Sequence, residues 1–129
     1  MKCLICNHES PNFRGLGNHV RKAHNMLRYP YYCDFYLPDP DIFVEINGYW
    51  MHNDHWFNEN SIEDLNTLKM WKKKAKTSTR MQAAINVWTK LDIEKRNCAK
   101  NNKLNYVVLW TIEDIQKWID SNFEIRHDY

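Results

Sequence analysis

The chain has 129 residues, room for one compact domain and a small appendage, and its 43% apolar and 14% aromatic content excludes wholesale disorder. Eighteen basic residues against sixteen acidic give a net charge of +2, too balanced to establish a nucleic-acid partner by itself. No apolar stretch approaches the roughly 20 residues of a membrane span and no secretory signal is read, so the expectation is a cytoplasmic protein without a membrane partner, its cysteines thiols or metal ligands.

The first predicted element is "CLICNHESPNFRGLGNHVRKAH". Two residues separate Cys3 from Cys6, twelve residues follow, and four separate His19 from His24. This is the spacing of a two-Cys, two-His zinc finger: a CxxC turn aims two thiolates at one metal, and two histidines on one side of a helix end complete a tetrahedron. A finger is expected over 1–27, with Zn²⁺ supplying most of its folding energy. Phe13 and Leu16 are positioned by spacing to pack under the metal. Gly15 and Gly17 weaken the helix start. Arg14, Asn18, Arg21 and Lys22 could meet phosphate or base edges; the alternative is a structural or protein-binding knob.

Residues 31–37 read as a strand, "PDPD" at 38–41 as a turn, and 42–47 as a second strand, together a hairpin. Ser61 with Asp64 three later marks a helix start, and Leu65, Leu68 and Trp71 recur at helical spacing. A second helix is expected from Thr79 to about Asn101, with Met81, Ala84, Ile85 and Trp88 on its apolar face. Residues 104–110 read as a buried strand. Thr111 can cap a last helix whose Ile112, Ile115, Trp118 and Ile119 face inward. The order finger-β-β-α-α-β-α predicts an α/β fold, a small mixed sheet flanked by helices and preceded by the finger.

Titratable residues gather around "FVEINGYWMHNDHW" at 43–56. Asp34 and Glu45 stand on the two hairpin strands with ten residues between them, and two converging carboxylates can hold Mg²⁺. His52 can take a proton near neutral pH, with His55 the weaker candidate. Gly48 permits a sharp exit from the strand. Asp92 shares the apolar face of its helix with Ile85 and Trp88, where a carboxylate needs a partner; Arg96 or a catalytic histidine could be that partner. Each residue also has a structural reading as a surface or loop group, and it is their occurrence together that favours chemistry.

Asp34, "VEINGYWMH", "DIEKR" (92–96) and "LNYVVLWTIED" (104–114) resemble the very-short-patch-repair endonuclease family, in the PD-(D/E)XK nuclease superfamily, and related phage or intron homing endonucleases. The similarity covers about residues 30–114, within a nuclease domain expected over 28–129. It implies a restriction-endonuclease-like fold and Mg²⁺-dependent hydrolysis of DNA phosphodiester bonds, as a nick or a double-strand cut. By the same resemblance Asp34 and Glu45 are the metal-binding carboxylates, the Ile46 carbonyl is a further magnesium ligand, and His52 does the acid/base work. Asp92, or alternatively Glu94, is the acidic residue of the later helix. Asn47 stands where the wider superfamily has lysine. The repair enzymes' own structural zinc ligands and their N-terminal acidic helix are not matched, which points away from mismatch repair.

The expected partner is double-stranded DNA, met by a monomer or homodimer. Tyr49, Trp50 and Met51 resemble the aromatic wedge of the repair enzyme, although core packing competes for Trp50 and Met51. Lys72, Lys73, Lys74, Lys76 and Arg80 could bind phosphates without reading sequence, and Asn47 and Arg96 are further DNA-contact candidates. Two other readings stay open: a catalytically inactive DNA-binding or regulatory module on a nuclease fold, and a protein-interaction module.

Overall fold

The computed structural model describes residues 1–3 and 5–129. Near the N-terminus a two-residue bridge, Lys2 to Glu9, folds the CxxC turn back on itself. Helix α1 (Phe13–His19) follows, with the Asn12 side chain accepting from the Gly15 amide at 2.8 Å, and the chain continues in wider π-helical turns over Val20–Asn25. The Asn12 cap satisfies a helix-start donor in a segment whose two glycines favour no helix.

The sheet has three strands in the order β1 (Phe35–Leu37), β2 (Ile42–Ile46) and β3 (Asn105–Leu109). Strands β1 and β2 form the expected antiparallel hairpin, with Phe35 opposite Val44 and Leu37 opposite Ile42. Strand β3 lies parallel to β2, with Ile42 opposite Asn105 and Ile46 opposite Leu109, after a long helical crossover. The first strand is shorter than the predicted 31–37. Pairing begins at Phe35, because Asp34 meets the neighbouring strand through its side chain instead of its backbone: it accepts the Ile46 amide at 2.7 Å.

The crossover contains α2 (Tyr49–His52), α3 (Ile62–Ala75), α4 (Thr79–Asn86) and α5 (Asp92–Asn101). A π-helical stretch, Val87–Leu91, joins α4 to α5, so the helix predicted over Thr79–Asn101 is one continuous rod. Ser61 caps α3 through the Asp64 amide, as expected from the sequence, and Ser78 caps α4 through the Met81 amide. The short turn α2 was not anticipated. It ends at Asn53 and Asp54, whose φ angles of 50° and 58° turn the chain. Gly48 is extended and has open space around it, so the turning is done by these two residues and not, as expected, by the glycine.

Residues of alternate parity on β2 and β3 face opposite ways. Phe43, Tyr106 and Val108 pack with Tyr29, Ala99 and Leu104 on the α5 side. Ile42, Val44, Val107 and Leu109 pack with Trp118 of α6 (Ile112–Asp120) on the other. A third cluster, Trp71, Ala84 and Trp88, joins α3 to α4 and takes in Met51, Met81 and Ile85. Thr111 caps α6 through the Asp114 amide, but only Ile115 and Trp118 turn inward. Ile112 is 85% exposed and Ile119 is also largely exposed, contrary to the inward face predicted for all four. The sheet presents α6 with a narrow apolar strip, and two positions fill it. No helix among the described residues is long and apolar enough to cross a membrane.

Candidate metal cluster and candidate active site

Sγ of Cys3 and Cys6 and ring nitrogens of His19 and His24 all lie within 4.8 Å of one another. The edges are 3.2 Å from Cys6 Sγ to His19 Nε2, 3.6 Å from Cys3 Sγ to His24 Nε2, and 3.3 Å between the two Nε2 atoms. Metal–sulfur bonds of about 2.3 Å and metal–nitrogen bonds of about 2.0–2.1 Å at tetrahedral angles give edges of about 3.3–3.8 Å. The four residues could therefore hold a metal such as zinc, as their spacing suggested. Burial pushes the Cys3 thiol up, but the Ile5 and Cys6 amides and the Cys6 side chain outweigh it and lower its pKa. Desolvation, with His8 stacked at 4.0 Å and His24 alongside, lowers that of His19, favouring the neutral ring a metal needs. Leu16 is partly buried, whereas Phe13 is 77% exposed and does not pack under the cluster as expected. The tight ligand set leaves little interior to fill.

Arg28 anchors the end of this segment to the hairpin. Its guanidinium donates twice to Asp41 at 2.9 Å and once to Asn25 at 2.7 Å, and Tyr36 adds a hydroxyl to Asp41 at 2.6 Å. The Arg28 guanidinium holds the Asp41 carboxyl below the usual carboxylate range.

On the α5 face of the sheet, Glu45 is buried. Its Oε1 accepts from the Tyr29 hydroxyl at 2.6 Å and from Lys95 Nζ at 3.0 Å, and the Lys95 ammonium also donates to the Tyr32 carbonyl. Burial raises the Glu45 pKa, and Lys95 and Tyr29 oppose the rise. Asp34, exposed just before β1, binds the amide next to Glu45. The hairpin thus brings both predicted carboxylates to one strand end.

His52 Nδ1 lies 2.6 Å from Asp92 Oδ2, and Asp92 is buried. With Nδ1 donating to the carboxylate, Nε2 keeps its lone pair and the ring is held in one orientation. The partner of Asp92 is therefore His52; Arg96 instead lies over the Trp56 ring at 4.8 Å, beside Trp110. Glu94, the alternative to Asp92, is exposed. His55 makes a similar pair, Nε2 to Asp64 Oδ1 at 2.6 Å, but its carbonyl takes the Trp88 indole and Asp64 also takes the Asn58 amide. That pair fastens the loop to α3.

The side chain that sequence reasoning missed is Lys95. It stands three after Asp92, so both project from one side of α5. Asp34 accepts the Ile46 amide, Glu45 next to it pairs with Lys95, and one turn earlier on α5 Asp92 pairs with His52. The only available signal was an apolar-face position occupied by a lysine.

Among the DNA-contact candidates, Arg14, Lys22, Lys72, Lys73, Lys74, Lys76 and Arg80 are exposed. Tyr49 and Trp50 are exposed and Arg80 lies 4.2 Å above the Trp50 ring, whereas Met51 packs inward. Arg21 is half-buried over Tyr32. Asn47 is 4% exposed, so its side chain is not a surface contact as expected. Its amide donates to the Leu109 carbonyl and continues the β2–β3 pairing.

Comparison with known family models, characterised proteins and solved structures finds no match to this chain.

Proposed function

We propose that the chain is a metal-dependent DNA endonuclease with a zinc-binding finger at its N-terminus, of the kind found in phage or mobile-element homing enzymes. The observation that carries the reading is the set Asp34, Glu45, Lys95, Asp92 and His52: Asp34 binds the amide next to Glu45, Glu45 pairs with Lys95, and one turn before Lys95 on α5 Asp92 holds His52. Such a convergence of carboxylates, a cation and an oriented imidazole is more than the fold needs.

The oxygen donors of Asp34 and Glu45, with the Ile46 carbonyl, suit Mg²⁺, which takes one or two carboxylates and keeps several waters. When bound, it supplies a more acidic water and neutralises charge on phosphate. His52 Nε2 accepts the proton of the attacking water, while Asp92 holds the Nδ1–H and stabilises the imidazolium. A new oxygen–phosphorus bond forms, the bond to the leaving sugar oxygen breaks, and that oxygen is protonated from solvent. Lys95 supplies the positive charge that Asn47 lacks. Tyr49 and Trp50 meet the bases, and the lysines of α3 with Arg80 meet phosphates.

Nicking of supercoiled plasmid in Mg²⁺ tests this directly. Loss of activity is expected in Asp34→Asn, Glu45→Gln, His52→Ala and Lys95→Met; full activity in all four overturns it. One observation favours a second reading, an inactive DNA-binding module: Glu45 is already bonded to Tyr29 and Lys95. Tight DNA binding independent of Mg²⁺, with no nicking on any substrate, would select it.

A further inference from the structure

A cleft of about 690 Å³ lies between the finger helix and the hairpin. Phe13, Arg14 and Arg21 form part of the finger side, and Tyr32, Asp34 and Phe35 part of the other. This volume falls within the roughly 300–1,000 Å³ of small-ligand sites, and a DNA duplex is far too wide for it. Three of its aromatic rings are presented to solvent: Phe13, Tyr32 at 70% exposure and Phe35 at 57%. A folded chain that buries Trp88 and Phe43 almost completely leaves these rings open. The Arg21 guanidinium carbon sits 4.0 Å from the Tyr32 ring centroid, covering one face and leaving the other. Arg21 Nε is buried and finds no hydrogen-bond partner among the described residues. Asp34, the exposed carboxylate of the proposed active site, belongs to the same wall.

We propose that this cleft is a subsite for an unpaired nucleotide next to the cleaved phosphodiester bond, so that the enzyme prefers DNA with a bulged, extruded or single-stranded base there. Flat, sequence-tolerant stacking surfaces with arginines to meet phosphate are what such a nucleotide needs. Arg14 and Arg21, both lining the cleft, match its charge. The shared wall ties the choice of structure to the position of the cut. The inference rests on the endonuclease reading for the meaning of Asp34, but its test does not use cleavage.

The test measures anisotropy with the full-length, zinc-loaded chain and no added magnesium. A short fluorescent duplex carrying one bulged 2-aminopurine is compared with the same duplex fully paired. Binding at least about tenfold tighter to the bulged duplex is expected, with quenching of the 2-aminopurine, since stacking on aromatic side chains is worth about that much per base. Tyr32→Ala and Phe35→Ala should each reduce the preference and the quenching, while affinity for the paired duplex and zinc content stay unchanged. Both side chains are exposed, so neither substitution opens the core, and Arg21→Gln provides an independent check. Equal affinity for the two duplexes overturns the proposal, as does a preference that survives all three substitutions; the cleft would then belong to another occupant such as a peptide. A preference for the bulged duplex in a chain that nicks nothing supports the subsite and removes only the catalytic reading.

Discussion

The finger segment and the α/β unit are held together by different physics. Among the described residues up to Asn25, only Cys3, Ser10 and Asn25 are buried, and the Cys3, Cys6, His19 and His24 side chains, which could hold a metal, cluster in place of an apolar core. From Tyr29 onward three apolar clusters do that work, with Trp88 fully inaccessible between Trp71 and Phe57. A short segment cannot bury enough apolar surface to offset its chain entropy, so a ligand cluster has to replace a core. The difference teaches where each unit is vulnerable: one to chelation and proton competition, the other to lost volume.

The largest effect should come from removing the metal. Chelation, or Cys6→Ser, should unfold the finger, since structural zinc is worth about 10 kcal/mol or more of folding free energy. Trypsin should then cut at Arg21 and Lys22 while the fragment from Tyr29 onward resists. Simultaneous loss of both units would break the comparison. Next comes the opposite lesion: Trp88→Ala should cost about 3–5 kcal/mol of unfolding free energy, read from the urea midpoint, and leave zinc content unchanged.

The two histidine–carboxylate pairs sharpen the contrast inside the α/β unit. His52→Asn, whose amide can still donate to the buried Asp92, should lower nicking at least about a hundredfold, as expected for loss of a general base. His55→Ala should change the rate only a few-fold, because its pair holds a loop. Equal losses in both variants would mean that the Asp92 pair is structural too.

The smallest effect concerns Cys33. Burial, with Glu45 nearby, pushes its thiol up to about 12. The unfolded thiol titrates near about 8.5. Because the folded pKa is the higher one, the neutral thiol's contribution to stability is complete below about pH 8.5 and is lost as pH rises toward 12. Iodoacetamide at pH 9 should therefore label Cys33 much more slowly in the folded than in the urea-unfolded protein. Similar rates in both states would show that the β1 end of the sheet is open.

Features written into local spacing were legible in the chain. The Cys/His cluster, the hairpin around Pro38–Asp41, the caps at Ser61 and Thr111, and the rod from Thr79 to Asn101 all follow from residues a few positions apart. Periodicity over-counted α6, because it places Ile112 and Ile119 on an apolar stripe without knowing how narrow the receiving surface is. Asp92 was recognisable as a carboxylate in need of a partner, but helix spacing pointed to Arg96, one turn away.

Sequence alone therefore determined the Cys/His cluster and most of the order of elements, because backbone propensity and side-chain spacing act over a few residues. Tertiary structure alone decided which distant side chains meet. His52 reaches Asp92 across 40 residues and Lys95 reaches Glu45 across 50, and neither contact has a local signature. Those pairings arise from laying α5 on the Glu45 face of the sheet and turning the chain back at Asn53 and Asp54. The same packing buries Asn47 and brings up Lys95, a cation from a distant helix beside the carboxylate that the neighbouring sequence leaves without one.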